Sequence, residues 1–94
     1  MVVVIVENAP QKLRGRLKLW MMEVGTCVYV TDCNSKMRTW LWDTVQNNIG
    51  RGSATIIWAT SKSEFGFDFN VCGNNDFDID VIDGIKFMIR TVID

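Results

Sequence analysis

The chain contains no histidine. Mechanisms that use an imidazole as base or metal ligand are therefore closed to it, leaving carboxylates, hydroxyls, thiols, lysine or a metal on oxygen ligands. Cysteine is scarce and unpatterned: Cys27, Cys33 and Cys72 are odd in number and form no C-x-x-C pair. Without histidine they cannot close a zinc site in one copy, and they read as reduced thiols of a cytoplasmic protein. No apolar run approaches the roughly 18 to 20 residues of a membrane span. The run at Val2–Val6 has no basic flank and meets an acid at once, unlike a secretory signal. Repeats, low-complexity tracts and linkers are also missing, so residues 1–94 are expected to form a single domain.

What the chain has in quantity is apolar bulk. Hydrophobic residues make up 48%, including four tryptophans and five phenylalanines, more than so small a core consumes. The surplus favours an obligate oligomer, in which a partner's surface supplements the core. Charge is balanced overall at −1 but divided along the chain. Residues 1–62 hold eight Lys/Arg against four Asp/Glu, and residues 63–94 hold two against seven. A basic front and an acidic tail suit a molecule that holds nucleic acid on one surface and a basic protein on another.

The β-branched run Val2–Val6 suits a central strand buried on both faces. It ends on Glu7, and Asn8 or Ala9 is expected to cap a helix with Pro10 in its first turn. Leu13, Leu17, Trp20, Met21 and Val24 keep helical spacing as its core stripe, and Gly25 ends it. Lys12 with Arg16 and Arg14 with Lys18 form two i,i+4 cation pairs flanking that stripe. Such a row presents a surface to phosphates; the alternative is an ordinary solvated helix face. Gly15, Leu19 and Met22 lie opposite the stripe, where a mid-helix glycine suggests a close approach.

Further on, Thr26–Thr31 reads as a short strand, and Asp32, Asn34 and Ser35 are caps for a second helix over 36–48. Met37, Leu41, Val45 and Ile49 form its apolar row, flanked by Trp40 and Trp42. Trp20, Trp40 and Trp58 read as core rather than as base-stacking platforms. Ala54–Thr60 and the alternating Phe65, Phe67, Phe69, Val71 are strands, and Gly50-Arg51-Gly52 is a turn. Residues 73–84 read as a polar connection leading to a last strand over 85–93, which could pair with another chain. The order β-α-β-α-β-β-β gives an α+β sandwich with two helices on one sheet. Asp76, Asp78 and Asp80 imitate a calcium loop, but Val81 and Phe87 stand where glycine and glutamate are required, so the match fails. Glu7 is a candidate metal ligand only if a twofold dimer brings two copies together, with Asn8 or Asp32 helping. The residues alone favour a helix-dipole role for it.

The segment Val3–Val24, with Glu7-Asn8-x-Pro10, Leu13-Arg14-Gly15-Arg16-Leu17 and Trp20, resembles the small CRISPR adaptation protein, CRISPR-associated protein two, in its type I-E subgroup. Val28-Tyr29-Val30, Lys36-x-Arg38, Trp58-Ala59-Thr60, Gly66-Phe67-x-Phe69, Gly73 and Asp83-Gly84 extend the resemblance over nearly the whole chain. It implies a ferredoxin-like domain, with two helices on one face of a four- to five-stranded sheet, forming a symmetric homodimer. That dimer would bridge two dimers of the larger adaptation protein, the integrase, and hold double-stranded DNA, the prespacer, by its backbone. The resemblance implicates Lys12, Arg14, Arg16, Lys36 and Arg38 as phosphate contacts, and Glu64 and Asp83, with the last strand, in docking the integrase.

Two departures from the family pattern stand out. Asp76 and Phe77 occupy positions where related chains carry DNA-reaching arginines, so the duplex is either not held there or is held by Arg51 or Lys62 instead. Glu7 replaces an aspartate associated with metal-dependent nuclease activity, as in other type I-E members. The resemblance therefore implies a non-catalytic scaffold first. A Mg²⁺- or Mn²⁺-dependent endonuclease acting on RNA or DNA through paired Glu7 carboxylates comes second, and a toxin-like or small-ligand-binding domain third. Some family members continue into an exonuclease domain.

Overall fold

In a computed structural model, which describes residues 1–74 and 76–90, strand β1 runs Val2–Glu7 and helix α1 Gln11–Trp20. Strands β2 (Met22–Gly25) and β3 (Val28–Thr31) form a hairpin, helix α2 spans Ser35–Asn48, and β4 (Ser53–Ala59) and β5 (Phe67–Gly73) follow. Strands β6 (Phe77–Ile82) and β7 (Ile85–Arg90) close the described chain. The main sheet has the order β2-β3-β1-β4-β5, and all its pairings are antiparallel. Its first six elements, β-α-β-β-α-β with β1 between β3 and β4, are the ferredoxin-like arrangement. Strand β5 is added at the β4 edge, and β6 and β7 form a separate two-stranded sheet.

The core lies between the sheet and the two helices. Val2, Val4 and Val6 of β1, Tyr29 of β3 and Ala54 and Ile56 of β4 meet Leu13 and Leu17 of α1 and Leu41, Trp42 and Val45 of α2. Alternation along β1 is strict: Val3 and Ile5 stand on the opposite face and are only half-buried, so the strand is covered on one side. The expectation of burial on both faces is met halfway within one copy.

Several expected boundaries move. Helix α1 ends at Trp20, not Gly25: Met21 turns into extended backbone, and Met22–Gly25 becomes edge strand β2, exposed throughout. Val24 therefore leaves the helical stripe, and Met22 is not on the helix with Gly15. Open space surrounds Gly15: a β-carbon added there would meet no heavy atom within 4 Å. Pro10 itself holds the N-cap position, with no side-chain cap, in place of Asn8 or Ala9. Asn34 caps α2 as expected, accepting from the Met37 N–H at 2.8 Å.

The stretch expected as a polar connection contains β6, paired along its length with β7. Asp83 and Gly84, both at positive φ (52° and 77°), make the tight turn between them. The last strand thus has a partner in its own chain; its expected continuation over 91–93 lies outside the described residues. Trp40 is a further correction: it is 44% exposed, while Trp42 is buried in the core and Trp20 and Trp58 are half-buried.

Candidate nucleic-acid interface

Helix α1 buries Leu13 and Leu17, four residues apart, and this turns Lys12, Arg14, Arg16 and Lys18 outward. Lys18 lies 3.8 Å from Glu23. Lys12, Arg14 and Arg16 make no ion pair among the described residues, so their charge is directed to solvent. Arg16 sits 6.0 Å from the centre of the Trp20 ring, and Trp20 meets Trp40 of α2 edge-on at 4.7 Å. That aromatic contact joins the two helices on one layer, and the first turn of α2 adds exposed Lys36.

Arg38, one turn into α2, is half-buried rather than free. Its guanidinium stacks on Trp58 of β4, 4.5 Å from the ring centre. Around it opens a cavity of about 520 Å³ lined by Ser35, Lys62, Glu64, Asp68, Gly84 and Lys86 among others. Glu64 and the turn bearing Asp83 therefore approach one cavity, although they are far apart in sequence. The basic front and the acidic tail meet here instead of occupying separate surfaces. Within the cavity Lys86 binds the Asp68 carboxylate at 2.8 Å and also donates to the Phe69 carbonyl. Burial would raise the Asp68 pKa. The Lys86 hydrogen bond, the Phe69 N–H and the charges of Lys86 and Arg38 outweigh it and hold the carboxyl below its ordinary value.

Glu7 ends β1 opposite Ser53 in the β1–β4 ladder, on the face away from the helices. Glu7 stands four residues before α1, whose own first turn holds no acid. Its surroundings are a cavity of about 340 Å³ that also includes Ser53, Asn74, Asp76 and Arg90. Among the described residues no three carboxylates or thiols converge to hold a metal ion, and Arg90 places a fixed positive charge in the same cavity. Mg²⁺ and Mn²⁺ take several oxygen ligands, and among the described residues this cavity holds two carboxylates, Glu7 and Asp76. Asp32, the helper considered for Glu7, instead lies 3.4 Å from the N-terminal amine at the other end of β1.

Tyr29 is the one phenol in the chain and is fully buried. Burial first, then the Glu23 carboxylate, pushes it up to about 12, which removes it as an acid–base group near neutrality. Arg51, in the loop after α2, and Lys62, after β4, are exposed cations outside the two helices. Sequence reasoning missed two partners of the basic residues: Trp58 beneath Arg38, and Asp68 beside Lys86. No helix among the described residues is long and apolar enough to cross a membrane.

The family model described as CRISPR-associated protein (Cas_Cas2CT1978) matches residues 1–87, from β1 into β7. That span includes both helices and every candidate residue named above except Arg90. With all but the last seven of its 94 residues matched, the chain belongs to this CRISPR-associated, Cas2-like family.

Proposed function

We propose that the chain is a homodimeric DNA-binding scaffold of the CRISPR spacer-acquisition complex, of the type I-E kind, working in the cytoplasm. The dimer bridges two dimers of the integrase and holds prespacer duplex by its phosphates. The observation that carries this reading is the row of exposed cations on α1, Lys12, Arg14 and Arg16, which no acid among the described residues pairs with. Contacts of this kind position a duplex without reading its sequence, as storage of arbitrary sequences requires. Lys36 and Arg38 extend the row onto α2. Glu64 and Asp83 offer acids to a basic partner, the integrase, while the half-covered Val3, Ile5 and Ile57 offer the opposite sheet face to a second copy.

A metal-dependent endonuclease is the second reading, favoured by one observation: Glu7 and Asp76 line the same cavity. It calls on a second copy to add oxygen ligands to those two carboxylates.

Charge reversal at Arg14 and Arg16 tests the scaffold. Arg14→Glu/Arg16→Glu is expected to weaken binding of a short mixed-sequence duplex and to flatten its salt dependence, by roughly 0.9 in log–log slope for each phosphate no longer neutralised. Binding equal to that of the unmodified chain would refute the reading.

A further inference from the structure

We propose that Trp58 and the Lys86–Asp68 pair are positioning elements that hold Arg38 with its guanidinium edge free for a phosphate; this rests on the scaffold reading. Three observations meet in the cavity at the N-terminal end of α2. The Arg38 guanidinium lies over the Trp58 ring, 4.5 Å from its centre. Asp68 is the cross-strand partner of Trp58 in the β4–β5 ladder and so stands beside the stack. Lys86, reaching over from β7, binds that same carboxylate at 2.8 Å, and Arg38 forms no ion pair with it.

The chemistry of a guanidinium makes this arrangement productive. Stacking uses its flat face, whereas phosphate recognition uses the N–H groups on its edge, so one cation does both at once. A free arginine loses rotamer entropy on being fixed, and a residue already stacked has lost part of it before DNA arrives. Asp68 is the natural competitor for Arg38, since its carboxylate lowers in pKa partly through that guanidinium's charge. Lys86 occupies it, so the internal ion pair forms between β5 and β7 and leaves the α2 arginine to an external anion. Arg16 over Trp20, at 6.0 Å, is a looser version of the same stack with no acid set beside it.

The test measures short-duplex binding by the full chain with five variants. Trp58→Leu keeps an apolar side chain without the ring face, and binding is expected to fall about fivefold. Trp58→Phe restores a ring and is expected to recover most of that loss. Arg38→Lys keeps the charge without the planar fork, and should weaken binding about as much as Trp58→Leu. Adding Trp58→Leu to Arg38→Ala should cost nothing further. Additive losses in that double variant, or unchanged binding in Trp58→Leu, would overturn the positioning role while leaving the scaffold standing. Should Trp58→Leu fail to fold, Arg38→Lys decides alone, and binding equal to the unmodified chain overturns the proposal. A chain that binds no duplex at all refutes both readings together.

Discussion

Gly52 packs directly against the backbone of Glu7: a β-carbon at position 52 would strike the carbonyl oxygens of Glu7 and Asn8. The loop after α2 therefore rests on the turn after β1, where Asn8 holds a left-handed backbone (φ 51°). Backbone cannot retreat as a flexible side chain does, so Gly52→Ala is expected to destabilise by about 1–3 kcal/mol. Denaturant unfolding measures it. Gly15→Ala, with open space around it on α1, is the control and should stabilise slightly through helix propensity.

The hairpin of β6 and β7 is fastened to the sheet through Lys86, which bridges β7 to Asp68 and Phe69 of β5. Lys86→Met should therefore raise amide exchange in β6 and β7 while leaving β1 and β4 protected, as read by hydrogen exchange. The pH dependence follows from the lowered pKa of Asp68. A carboxyl whose folded pKa is depressed adds stability above its unfolded value, about 3.9, and loses it as pH falls through the folded value. Hairpin protection should hold from neutrality to about pH 4 and decline below it. Both side chains are about one-third exposed, so the contribution is that of a screened pair.

Glu7 and the basic helix make separable predictions. Glu7→Gln is expected to leave duplex binding unchanged, because Glu7 lies on the face away from α1 and α2. Filter binding checks this. If divalent-dependent cleavage of RNA or DNA is found in the unmodified chain and vanishes in Glu7→Gln, the endonuclease reading gains its first support.

The sheet face away from the helices, where β6 and β7 also line cavities, yields the assembly prediction. Ile5 and Ile57 stand on it, and Phe69 is the cross-strand partner of Ile57. Ile57→Glu should shift the chain from dimer to monomer in sedimentation with its secondary structure retained. A monomeric unmodified chain would contradict the homodimer.

Strands β1, β3, β4 and β5 and the two helices were legible because the features of each are local. The stripe of Leu13 and Leu17, the Asn34 cap and the apolar run of β1 announce themselves within a few residues. Strand β2 was hidden because Met21 and Val24 continue the helical period of Leu13 and Leu17, so two readings competed for the same apolar residues. Strand β6 was hidden by its acids, although Asp78-Ile79-Asp80-Val81 alternates and Asp83-Gly84 is a strong hairpin signal. The face of Glu7 could not be read at all: every preceding residue of β1 is apolar, and a run without polar positions carries no parity. The stack of Arg38 on Trp58 joins residues twenty apart and depends on how α2 lies over β4.

The alternation of β1 also divides the mutational vocabulary of the chain. Val2, Val4 and Val6 face the helices, so changes there should be read out by whether a protomer folds. Val3 and Ile5 point the other way, and changes there should be read out by whether protomers find each other. If the proposed dimer forms through this face, a single six-residue strand answers to two selections, one acting on even positions and one on odd. Deep substitution of β1, scored once for abundance and once for assembly, would show the two phenotypes alternating residue by residue.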